Sequence, residues 1–175
     1  MSILKKTSVR ITSALCLATM PLSGCGAGAV YLTPAEDAAN PRCAYAMVAM
    51  PQEIGGFSQR ETTAQATTAW GDPSVVVLKC GVIVQEPVSD PCVSVNGVDW
   101  ILKPAEEQEQ AQQSVQQATG TWDATTFGRS PAIRITFDAD KISSSTLLIH
   151  LSSAVKQLPQ TKACTNLSDE LRLES

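Results

Sequence analysis

The sequence predicts a single α+β domain, an antiparallel sheet of about five strands with two helices packed on one face and two disulfides. Three observations carry that prediction. Ile133, Ile135 and Phe137 alternate with Arg134 and Thr136, as in a strand with one buried and one wet face. The run Val75–Leu78 is apolar at every position, which suits a central strand. Leu147, Leu151, Ala154, Val155 and Leu158 fall on one stripe at helical spacing.

The elements follow in chain order. Residues 1–25 read as an export leader, with Lys5, Lys6 and Arg10 ahead of a mostly apolar stretch from Ile11 to Leu22. That stretch is too short to span a bilayer, which takes about 20 apolar residues. Residues 26–40 are small and polar without sustained periodicity, so they are expected to be a flexible tether to a globular domain at 41–165. Asn40 and Pro41 suit the N-cap and first position of a helix that carries Cys43, Ala46, Met47 and Met50 on one face and stops at Pro51. Gly55-Gly56 marks a loop. The threonine-rich residues 59–70 read as one half-exposed strand, and Trp70-Gly71-Asp72-Pro73 as a turn into a central strand at 74–84. Asn96-Gly97 is a hairpin turn ahead of a strand at 98–103. Residues 105–120 form a Gln/Glu-rich insertion polar on all sides, which leaves a helix there little to dock with. Strands at 122–127 and 132–137 follow, then a helix capped within Ser143–Ser145 and stopped by Pro159, and a polar tail at 166–175.

The leader ends in Leu22-Ser23-Gly24-Cys25, which resembles the bacterial lipobox, in which the cysteine is acylated and becomes the mature N-terminus. At roughly 0.8 kcal/mol per buried methylene, two or three acyl chains anchor a protein firmly. The expected location is therefore the outer face of the cytoplasmic membrane, held by lipid on Cys25. Cleavage there leaves 10 basic against 17 acidic residues, a net charge of −7. That balance excludes nucleic-acid binding through phosphate neutralisation, and it leaves membrane attachment to the acyl chains. The expected partners are the membrane and an envelope protein.

With Cys16 in the leader and Cys25 lipidated, Cys43, Cys80, Cys92 and Cys164 remain, an even set in an oxidising compartment. Four cysteines allow three pairings. Local loop closure favours Cys80–Cys92, with Cys43–Cys164 joining the ends of the domain. Zinc is not expected, because CxxC pairs are absent and His150 is the single histidine.

The arrangement of WGDP, an apolar strand, CGV, a second cysteine and NGVDW resembles an uncharacterised family of actinobacterial exported lipoproteins, a domain of unknown function. TTFGR at 125–129, with Pro131 and an alternating strand behind it, is similar to that family's second half. So is the cysteine ahead of a short helix that runs into Met50-Pro51. The resemblance covers roughly residues 40–158. It implies no activity and no catalytic residues; members often encoded near the D-alanyl-D-alanine ligase imply envelope biology.

Catalysis needs a nucleophile, a base and a group that orients the base. His150 sits at the margin of the last helix's apolar stripe, where a surface histidine is expected. Asp72, Asp99 and Asp123 lie near tryptophans and could suggest a glycosidase pair. Asp72 has a turn role as an alternative, Asp99 a hairpin role, and Asp123 a solvent-facing strand position. No phosphate-binding glycine loop is present, so no cofactor is expected. The balance favours a non-catalytic envelope interaction or accessory protein. The alternative is a small cell-envelope enzyme or glycan-binding domain that uses Trp70, Asp72, Trp100 and Arg129.

Overall fold

A computed structural model describes residues 28–84, 91–105 and 120–164. The expected leader with Cys25, residues 106–119 of the expected polar insertion, and the expected tail lie outside the described residues. Among the described residues eight strands form one antiparallel sheet: β1 (Glu53–Ile54), β2 (Phe57–Arg60), β3 (Thr67–Trp70), β4 (Val76–Val82), β5 (Cys92–Val95), β6 (Val98–Pro104), β7 (Thr121–Thr126) and β8 (Ala132–Asp138). Their order is β1-β2-β3-β4-β8-β7-β6-β5. Two four-strand meanders are thus joined where β4 pairs with β8.

The sheet is larger than the five strands expected, for local reasons. Gly55 and Gly56 take φ of 56° and 86°, the geometry of a two-residue primed turn, so they close a hairpin between β1 and β2 instead of merely interrupting the chain. The 59–70 segment is two strands, because Ala66 at φ 55° helps reverse the chain between β2 and β3. Strands of two to four residues are too short for a period-2 pattern to register. The Asn96-Gly97 turn forms as expected, with φ of 49° and 70°.

Helices α1 (Arg42–Val48) and α2 (Ser144–Val155) pack on one face. Ser143 Oγ accepts from Thr146 N–H at 3.2 Å and caps α2 as the sequence predicts, whereas the N-cap of α1 is Pro41 and not Asn40, whose side-chain oxygen accepts from Arg42 N–H at 3.0 Å just ahead of the helix. Cys43, Ala46 and Met50 meet Leu147, Leu151, Ala154, Val155 and Leu158 over Trp70, Val76, Leu78, Cys80, Trp100, Ile133, Ile135 and Phe137. Successive strand residues point to opposite faces, so Val77, Lys79, Arg134, Thr136 and Asp123 belong to the second face.

On that second face the expected tether is instead part of the fold. Val30 N–H donates to Glu61 O at 2.8 Å, Thr63 N–H to Val30 O at 3.0 Å, and Asp37 N–H to Gly81 O at 2.9 Å. Val30 and Leu32 are buried against Ala69 and Val77, while Tyr31 between them is exposed. Burying the two aliphatic side chains contributes about 1.5–3 kcal/mol each, which offsets the ordering of a short segment. Gly81 permits the close approach: it takes φ 97°, and a Cβ there would collide with the Asp37 carbonyl. Gly81→Ala is therefore expected to cost about 2 kcal/mol through overpacking and backbone strain. Urea unfolding checks the loss, and faster proteolysis near residues 28–38 checks its location.

The cysteine pairing also differs from the expectation. Cys43 bonds Cys80, and Cys92 bonds Cys164, with Cα–Cα distances of 5.8 and 6.0 Å. Cys80 stands on β4 and Cys92 on β5, and β8, β7 and β6 lie between them. At roughly 4.8 Å per strand step that is about 19 Å, far beyond the roughly 7 Å limit for a disulfide. The two also face opposite ways: Cys80 is opposite Ile133 on the helix face, and Cys92 opposite Ile101 on the other.

The registers Val76↔Phe137 and Val82↔Ala132 give the sheet two ends, about 20 Å apart at a strand's rise per residue. One end carries the turns Gly55-Gly56 and Gly71–Ser74 with Ala139–Lys141. The other carries Ile83, Asn96-Gly97, the β7–β8 loop and Thr161–Lys162.

Candidate functional site

The four residues proposed from sequence as a ligand site do not come together. Trp70 and Trp100 are both 0% exposed, inside the core under the helices. Trp70 lies there because β3 places it opposite Val76, and its indole N–H donates to Pro51 O at 3.0 Å, which ties the end of the α1 segment to the sheet. Neither ring offers a stacking face for a sugar. Asp72 is on the surface at the first end, and Arg129 is buried at the other. The carboxylates considered for glycoside chemistry are dispersed in the same way. Asp123 is fully buried, not solvent-facing as its strand position suggested, and accepts from Thr136 Oγ1 at 2.6 Å. His150 is exposed on α2. Among the described residues no group of three His, Cys, Asp or Glu side chains could hold a metal ion.

Two smaller constellations remain, one at each end. At the first, Arg60 on β2 projects from the second face. Its Nη1 donates to Asp72 Oδ1 at 3.0 Å and to Gly71 O at 3.3 Å, and its Nη2 donates to Gly28 O at 2.8 Å. The Asp72 side chain is 67% exposed, so this ion pair contributes little energy by itself. Its geometric effect is larger: one guanidinium joins the β3–β4 turn to the first described residue of the chain.

At the other end Arg129, in the β7–β8 loop, turns inward. Its Nη1 donates to Leu158 O in a short contact, and its Nη2 donates to Gly97 O at 3.3 Å and Gln160 Oε1 at 3.0 Å. Burial pushes the guanidinium below its ordinary pKa, and the nearby Asp99 carboxylate opposes that shift. Asp99 in turn accepts from Ser94 Oγ, from Gln160 Nε2 at 3.3 Å and from Cys164 N–H at 2.9 Å. Gly128 makes this possible, since a Cβ there would collide with Lys162 O, while its own carbonyl accepts from Thr161 N–H at 2.7 Å. The Cys92–Cys164 bond fastens the same segment. Nothing local in the sequence announces the partnership of Arg129 and Asp99 with Gln160, which lies 31 and 61 residues away.

Beside this network lies an open groove of about 280 Å³, lined in part by Asp37, Ile83, Gly128, Ser130, Pro131 and Lys162. Ile83 is 63% exposed at its rim. The groove holds mixed charge, with Asp37 opposed to Arg129 and Lys162, and two hydroxyl residues, Ser130 and Thr161. No helix among the described residues is long and apolar enough to cross a membrane.

A family model described as a protein of unknown function (DUF3515) matches residues 8–164, a span that takes in all the described residues. No curated protein and no solved structure matches the chain.

Proposed function

The chain belongs to the DUF3515 family, and we propose that it is a non-catalytic envelope protein of the actinobacterial exported-lipoprotein type, anchored to the outer face of the cytoplasmic membrane by lipid on Cys25. The observation that carries this reading is the Leu22-Ser23-Gly24-Cys25 sequence at the end of an apolar leader. Two disulfides in the domain behind it suit an oxidising compartment. The accessory role is supported by the dispersal of the catalytic candidates. Asp99 and Arg129 are engaged in holding the C-terminal segment, Trp70 and Trp100 in filling the core. What the domain presents outward is a groove with mixed charge at its lining for an envelope protein to recognise.

Replacing Cys25 with Ser tests the anchor. The variant is expected to be exported and to move from the membrane fraction to the soluble extracytoplasmic fraction, with loss of palmitate labelling. Unchanged membrane retention would overturn the reading. The acyl chains carry the whole attachment in this account, so retention should also be insensitive to salt, as electrostatic adsorption is not.

A further inference from the structure

We infer that the end of the sheet bearing Gly55-Gly56, Gly71–Ser74 and Ala139–Lys141 rests against lipid headgroups, and that the Arg129 end with its groove points away from the bilayer. The inference rests on the lipid anchor at Cys25 and deepens it by assigning the domain's orientation. Three residue steps separate Cys25 from Gly28. In any conformation they span at most about 11 Å. Gly28 is not free to wander from the sheet, because its carbonyl accepts from Arg60 Nη2 at 2.8 Å, and the same guanidinium holds Gly71 O and Asp72.

From Gly28 the chain runs along the second face toward the opposite end. It bridges Thr62 through Val30 and reaches Gly81 through Asp37. The leash is therefore attached at one end of the sheet, and the other end lies about 20 Å farther along β4. A domain anchored in this way can meet the bilayer with its attached end first. A net charge of −7 on the mature chain gives no overall electrostatic pull toward a membrane surface, so the short leash sets the orientation. The docking of residues 28–38 converts what would be a tether of some 20 Å reach into a short, directional mount. The groove at Asp37, Ile83, Gly128–Pro131 and Lys162 then opens toward whatever approaches from outside.

The test uses the lipidated full-length protein in vesicles of phosphatidylcholine and phosphatidylglycerol. A photoreactive benzophenone side chain is placed at Ser58, exposed near the Gly71 turn, or separately at Gln157, exposed near the opposite end, and lipid adducts are read by mass spectrometry. Ser58 is expected to give several-fold more adduct than Gln157. Inserting about ten Gly/Ser residues between Ala27 and Gly28, a coil of about 17 Å mean reach, should erase that difference. Equal labelling without the insertion, or stronger labelling at Gln157, overturns the orientation while leaving the anchor intact. Failure of the unmodified protein to stay with the vesicles, or its retention after Cys25→Ser, overturns the anchor itself, and the orientation with it.

Discussion

Removing the Cys43–Cys80 bond, as Cys43→Ala/Cys80→Ala, is expected to lower the unfolding free energy by about 4 kcal/mol on the chain-entropy account of a loop this long. The bond closes 37 residues, and that loop contains β1, β2 and β3. Without it the unfolded chain regains the freedom of the whole first meander, and α1 is held over β4 by the packing of Ala46, Met47 and Met50 and by the Trp70–Pro51 hydrogen bond. Both cysteines are buried, at 1% and 0% exposure, so Ala substitutions leave an apolar void and no stranded polar group. Urea unfolding monitored through the buried tryptophans measures the loss. The denaturant slope should rise as well, since the unbridged unfolded state exposes more surface. Non-reducing peptide mapping should recover Cys43 with Cys80 and Cys92 with Cys164. A peptide joining Cys80 to Cys92 would contradict the strand order, because those positions are separated by three intervening strands.

The cysteines illustrate what could and could not be read in advance. Their even number and their use in two disulfides follow from the sequence, since both depend on composition. Their pairing depends on β4 closing against β8, a contact between residues more than fifty positions apart, and nothing near Cys80 encodes it. The same division runs through the fold. β8 and α2 were legible because a buried stripe repeats over several residues in each. β1 has two residues and β5 four, too few to establish a period. The 28–38 segment was hidden for a related reason. Val30 and Leu32 do alternate around exposed Tyr31, but three residues of alternation amid glycine and alanine look like a linker until the partner surface of Ala69 and Val77 is known.

The WGDP turn shows how chemistry-bearing residues can serve architecture. Gly71 takes φ 91°, which a residue with a Cβ adopts only under strain, and a Cβ there would press on Val75, Phe57 and the Pro73 carbonyl. Trp70 fills the core, and Asp72 faces out to Arg60. Trp70, Gly71 and Asp72 each have a structural partner, and Arg60, which holds Gly71 O and Asp72, also places Gly28 at that end of the sheet. The motif's contribution is positional: through Arg60 it fixes where the first described residue, Gly28, meets the sheet.

Arg129→Met is expected to cost about 3 kcal/mol, the range seen when one partner of a buried charge network is removed. Methionine fills much of the arginine stem's volume, so the loss isolates the guanidinium. Leu158 O and Gly97 O lose their donors, and Asp99 keeps Ser94, Gln160 and Cys164 but loses the compensating positive field. Arg129→Lys should recover only a minor part, because one ammonium lacks the planar fork that reaches Leu158 O, Gly97 O and Gln160 Oε1 together. The damage should be local before it is global. Amide exchange should accelerate first at Thr161 and Lys162, whose N–H groups donate to Gly128 O, and the Cys92–Cys164 bond should become easier to reduce as its segment loosens. A different outcome would change the account of this end of the molecule. If Arg129→Met unfolded at the same urea concentration as the parent, the guanidinium would not be holding the C-terminal segment. Its burial beside an open groove would then call for a ligand, and the network described for Asp99 and Gln160 would have to stand without it.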